Sequence, residues 1–253
     1  MKAVFDSSFK DAAVDTTDNL TNLTVTGTKA TALEVVSGGA FAINDLVYTS
    51  GDDATAGKGD LLTSVTISGD RAITVAITET TTSEVTAINA SALTGALTIS
   101  TAELKAESAA NTFDGGVLTL GSGSDVVTIT QGAAIASIGK GSAEDATAQG
   151  AFDVLVTGGA VQQAADVAAT ATLTIKDGLF TFNGAGPATL ADAITLVDTQ
   201  LTVAGDAVAF EYIGNSYVFV NDVVGGDLVV KLTGVTGLAG LDEVGTTDQL
   251  YVF

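Results

Sequence analysis

The sequence predicts a mainly β protein: an irregular parallel β-solenoid or β-roll-like region, followed by a small β-rich domain with one helix. Three observations predict it. Short runs alternate Val, Ile or Leu with Thr or Ala, the period-two pattern of half-buried strands. These runs recur roughly 20 residues apart, the spacing of repeats that expose an apolar side alone and hide it by stacking. Trp is absent and Pro occurs once among 253 residues, so the core must be thin, regular layers of Ala, Val, Ile and Leu. Because no period is strict, an irregular β-sandwich with similar hairpins fits the same pattern.

Residues 1–20 are polar and Asp-rich, with Phe5 and Phe9 as large anchors, and read as a leading segment. Residues 21–145 carry the repeats. Leu23 and Val25 answer Leu33 and Val35 around Gly27, and Val65 and Ile67 answer Ile73, Val75 and Ile77 around Gly69-Asp70. Val85 and Ile88 then precede Leu97 and Ile99, and Leu118 and Leu120 precede Val127 and Ile129. Asn89 is placed to turn the chain or to stack in an amide ladder. Ala102 to Asn111 is rich in helix formers and reads as a helical insertion. Gly139-Lys140-Gly141 and Glu144-Asp145 mark a domain boundary near residue 145.

Residues 146–253 form the second domain. Asp177-Gly178 between alternating runs predicts a hairpin with a type I′ turn. Pro187 suits a first helical position, and Leu190, Ile194, Val197 and Leu201 share one face of a helix over about 187–201. A second hairpin around Gly214-Asn215 carries Phe210, Tyr212, Tyr217 and Phe219. A strand through Asp227-Leu228-Val229-Val230 and an apolar terminus, Leu250 to Phe253, complete the chain.

Charge bounds the partners. Nine basic against 30 acidic residues give a net −21, which repels phosphate backbones and anionic membranes and favours divalent cations. Neither Cys nor His occurs, excluding thiolate and imidazole metal sites and the Cys-His and Ser-His-Asp catalytic machinery. Paired acids for glycoside hydrolysis want a fixed separation and an aromatic sugar platform. With no Trp and no cluster of basic residues, the expectation is a protein that is not an enzyme. No apolar run is long enough to span a membrane, and no cleavable signal peptide is read at the start.

The candidate metal residues are Asp and Gly in turns. Gly121-Ser122-Gly123-Ser124-Asp125 sits immediately before an alternating strand, where a tight turn can aim carbonyls and a carboxylate at one hard cation. The alternative for these residues is a glycine turn closed by an Asx hydrogen bond. Asp114, before Gly115-Gly116, is a candidate facing ligand. Asp52, Asp53 and Asp60 crowd a glycine-containing loop and form a second candidate set. Asp222 and Asp227, with Asn221, bracket Val223 to Gly226 as a third.

Two stretches carry resemblances. Gly121, Gly123, Asp125 and Val127 resemble the RTX nonapeptide, G-G-x-G-x-D-x-U-x, which builds a parallel β-roll around calcium. Leu120 stands where the first glycine belongs, and no tandem copies follow. Gly57 to Leu62 is a weaker echo, with Lys58 in a glycine position. More broadly, Val65 to Val75, Val85 to Ser100 and the block from Pro187 to Leu238 look like the C-terminal region of bacterial surface-layer proteins exported by type I secretion. That resemblance implies an extracellular structural protein that binds Ca2+ and self-associates into a two-dimensional lattice on a Gram-negative cell. It also implies dealings with the type I secretion machinery, and contact with cell-surface lipopolysaccharide through a region outside this chain. A calcium-binding RTX-type adhesin, or a passenger fragment of a secreted protein, is the alternative.

Overall fold

The computed structural model describes residues 2–5, 23–27, 31–37, 43–50, 62–78, 84–141, 152–170, 172–223, 226–244 and 248–253. The protein is mainly β, with parallel and mixed sheets and one α-helix among the described residues. The chain begins β1 (Lys2–Phe5), β2 (Leu23–Gly27), β3 (Ala32–Ser37), β4 (Ile43–Ser50), β5 (Ser64–Gly69) and β6 (Ile73–Thr78). It continues β7 (Ala87–Leu93), β8 (Leu97–Ser100), β9 (Val117–Thr119), β10 (Val126–Ile129), β11 (Ala133–Ala136) and β12 (Val154–Thr157).

Through this stretch the chain alternates between two sheets. Odd-numbered strands from β1 to β11 pair in parallel in one, and even-numbered strands from β2 to β12 pair in parallel in the other. The alternating sequence explains why both can form. Leu33 and Val35 on β3, Val65 and Ile67 on β5 and Leu118 on β9 point into one core. They meet Ile73 and Val75 on β6, Leu97 and Ile99 on β8 and Val127 and Ile129 on β10. Thr66, Asn89 and Thr98 face outward and are exposed. Partners along one sheet lie from 17 residues apart (β9 to β11, Leu118 against Ile135) to 32 apart (β3 to β5, Val35 against Ile67). The spacing is loose because the connections absorb the difference.

The remaining strands are β13 (Gln162–Gln163), β14 (Leu173–Lys176), β15 (Leu179–Phe182), β16 (Asp206–Tyr212), β17 (Asn215–Val223), β18 (Gly226–Thr233), β19 (Leu241–Glu243) and β20 (Gln249–Val252), with helix α1 (Leu190–Gln200) between β15 and β16. They extend both sheets. β18 pairs in parallel with β11 and antiparallel with β17, while β20 pairs antiparallel with β12. The core therefore runs on without a break: Ala207, Ala209, Val218, Val220, Val230 and Leu232 join it from the inward face of β16 to β18. The outward face of the same strands is covered by α1, where Ala193 and Val197 bury against Val208, Phe210 and Phe219. Residues 142–151, where the boundary near 145 was expected, lie outside the described residues.

Several local expectations are met, and others shift by a few residues. Asp177 (φ 50°) and Gly178 (φ 68°) make the tight turn between β14 and β15. The helix starts at Leu190, later than Pro187. Thr189 is its N-cap and exchanges hydrogen bonds with Asp192 in a capping box, which satisfies two free amides that proline could not. The second hairpin turns at Ile213-Gly214, since Tyr212 pairs with Asn215. Between Ala102 and Asn111 a single 3-10 turn, Thr101–Glu103, replaces the expected helix. A side chain competes for the backbone there: Asp114 takes the Ser108 amide together with the Ser108 and Thr112 hydroxyls. Asn89 makes no ladder to a neighbouring strand; its Oδ1 accepts the Ser91 amide, a local turn.

Candidate functional site

The Gly121–Asp125 turn joins β9 to β10 and stacks directly on the turn before β8. Backbones approach so closely here that side chains are excluded. A Cβ on Gly121 would lie 2.2 Å from the Leu93 carbonyl oxygen, and one on Gly123 would lie 2.3 Å from that of Gly95. Gly95 in turn lies over Arg71, with its own Cβ position 2.3 Å from that backbone. The two glycines that resemble a calcium motif thus have a physical reason in stacking alone.

Asp125 closes the turn and is fully buried. Its Oδ1 accepts the Leu97 amide of the preceding level at 2.8 Å, and its Oδ2 accepts the Gly121 amide of its own turn at 3.1 Å. Its own amide donates at 2.8 Å to Oδ1 of Asp153, which is also fully buried. Asp153 Oδ2 accepts the Gly139 amide at 2.6 Å. Val126 pairs with Thr98 on one side and Val154 on the other, which sets Asp125 level with Leu97 and Asp153 level with Asp125. The two aspartates tie neighbouring strands together, each reaching an amide 28 residues earlier.

Both carboxyls face amide hydrogens, the arrangement of a cap. A hard cation instead requires oxygens directed at one point. Burial pushes both acids up, Asp125 in direction and Asp153 to about 7, against the amide hydrogen bonds that pull them down. For Asp153 the folded value lies above its ordinary 3.8, so the folded protein holds that proton more tightly than the unfolded chain. The resulting stabilisation is complete below about pH 4 and is lost as pH rises through about 7. Urea unfolding should therefore show lower stability at pH 8 than at pH 6, an interval in which exposed carboxylates are already ionised. Asp153→Asn should remove that difference; equal wild-type midpoints at the two pH values would refute the assignment.

The other candidate ligands lie elsewhere. Asp114 stands before β9 and Asp125 after it, so the structure does not bring them together. Asp114 is exposed and held well below the usual carboxylate range by hydrogen bonds from the Ser108 and Thr112 hydroxyls and the Ser108 amide. Asp222 and Asp227 flank the hairpin between β17 and β18, and Asp227 is exposed. Asp52, Asp53 and Asp60 lie outside the described residues. Among the described residues, no three or more Asp, Glu, His or Cys side chains gather where they could hold a metal ion.

No protein-family model, curated protein or solved structure matches the chain.

Asp153 escaped the sequence reading, although a signal for it exists. Asp125-Val126-Val127-Thr128 and Asp153-Val154-Leu155-Val156 repeat one phrase, an aspartate immediately before an alternating strand. Neighbouring polar groups extend the same logic of ties between levels. Glu103 Oε2 accepts the Ile77 amide at 2.5 Å, and the Gln131 side-chain amide donates to the Thr101 and Leu104 carbonyls. Thr63 and Thr86 each donate a hydroxyl to the carbonyl of a threonine one level before, Thr31 and Thr63. Among the described residues, no helix is long and apolar enough to cross a membrane.

Proposed function

We propose that this chain is a structural building block: a β-solenoid that assembles outside the cell into a calcium-dependent two-dimensional surface layer, with no catalytic role. The observation that carries this reading is the alternation of β1 to β12 between two parallel sheets, tied from level to level by buried Asp125 and Asp153. Such a stack is a stiff rod whose neighbours contact only neighbours. It suits load-bearing better than conformational chemistry.

Calcium enters through charge. At net −21 the chains repel one another, and divalent cations on surface carboxylates lower that repulsion. The exposed Asp227 with Asp222, and the Asp52, Asp53 and Asp60 set, are the proposed positions. Weak extracellular calcium modules bind at about 10⁻⁴–10⁻³ M, so the chain would stay dispersed in a low-calcium cytosol and assemble after export by a type I route. Negative-stain electron microscopy of concentrated protein tests the proposal. Calcium should produce ordered sheets that a chelator dissolves; dispersed particles in both conditions would discard it.

A further inference from the structure

We propose that a cleft at the C-terminal ends of β15 and β16 is a self-association site, filled by the Ile213 hairpin tip of a second copy of this chain. The contact rests on the assembly reading above and names one of its interfaces. β15 and β16 pair in parallel only at Leu179 with Ala209 and Phe180 with Phe210, then part company before either strand ends. The gap opens a cleft of about 500 Å³, lined by Phe182, Pro187, Glu211, Tyr212, Ile213 and Leu238 among others. The Tyr212 hydroxyl donates to the Ala188 carbonyl and Glu211 accepts the Leu238 amide, so the walls are held open by hydrogen bonds.

Ile213 is the anomaly at the rim. It is 79% exposed, and its φ is +44°. Ile213-Gly214 occupies a two-residue hairpin turn whose first position favours Asn, Asp or Gly. A β-branched side chain in the left-handed region is strained, and this one also leaves apolar surface in water. The strain belongs to the backbone and stays, but docking in a cleft would take the exposed apolar surface out of water.

Charge distribution selects the occupant. Residues 178–191, 212–220 and 232–241 converge on the cleft and contain no Asp, Glu, Lys or Arg, in a chain that carries 39 such residues overall. Among the described residues Glu211 is the cleft's one charged lining residue, and the Lys140 ammonium lies nearby on the Thr236 and Gly237 carbonyls. A basic partner would be met by a cluster of acids, which this face lacks. A second −21 chain finds here the surface where repulsion is least, and loss of charge at the centre is the mark of an interface core. Knob and cleft on the same face permit a two-fold contact in which each Ile213 enters the other copy.

Sedimentation equilibrium in high salt with a chelator, where charge repulsion is screened, tests the contact apart from calcium. The wild type should dimerise. Ile213→Asn should raise the dissociation constant by about tenfold or more, the value of one buried aliphatic side chain, while raising the melting temperature because Asn suits the turn. A monomeric wild type, or an Ile213→Asn dimer of unchanged affinity, overturns the proposal. A wild-type monomer that still forms sheets with calcium would overturn this contact and leave the surface-layer reading standing. A dimer lost in Ile213→Asn, without calcium-dependent sheets, would do the reverse.

Discussion

Asp125→Ala should destabilise the protein by about 2–6 kcal/mol, because it strands two backbone amides, one buried and one partly buried, at about 1–3 kcal/mol each. Those amides belong to Leu97, on the neighbouring strand β8, and to Gly121, in the turn that Asp125 closes. Urea unfolding followed by far-ultraviolet circular dichroism measures the loss. Asp125→Asn should fall between, since its carbonyl can accept one amide while its NH₂ group confronts the other. The decisive control is calcium. A capping aspartate gives the same loss with calcium or with chelator, whereas a ligand gives a loss confined to calcium. A calcium-confined loss would make Asp125 a metal ligand.

Gly69→Ala should be at least as severe, about 3 kcal/mol or more, and is expected to yield little folded protein. Its φ of +124° is closed to L side chains, and a Cβ there would lie 1.7 Å from the Ser37 carbonyl oxygen. The neighbour is backbone within a paired strand, so it cannot move aside without breaking the β3–β5 ladder. Gly123→Ala tests the same effect inside the motif, against the Gly95 backbone. Gly186→Ala provides the contrast: its Cβ position meets nothing within 4 Å, and its φ of +66° costs only the left-handed penalty of about 1 kcal/mol. Equal melting temperatures for Gly69→Ala and wild type would remove backbone stacking as the reason for the glycine.

The strands were legible because alternation is a local property. Leu33 and Val35, Val65 and Ile67, and Leu97 and Ile99 announce their inward faces without reference to any partner. The Asp177-Gly178 turn was legible for the same reason: its left-handed geometry is a property of two residues. The 102–111 insertion misled because helix propensity is weak beside the Asp114 side chain, which captures the Ser108 amide that a helix would use. The Gly121–Asp125 motif pointed to a turn correctly. It left two uses open, a cation site or a capped stack, because the same small residues and carboxylate serve either.

By itself, then, the sequence determined a mainly β chain, its inward faces, its tight turns and its strongly acidic surface, all set by composition and period within a few residues. Tertiary structure alone decided which strands pair across separations of 17 to 32 residues, that both sheets run on into the C-terminal part, and that Asp125 meets Asp153. It also decided what surrounds Gly121 and Gly123. Their neighbours are carbonyls from a turn 28 residues earlier, and close approach between distant backbones leaves no mark on local sequence beyond the glycine itself. The same holds for burial: an aspartate reads as a surface residue until the levels above and below it take its water away and supply amides in return.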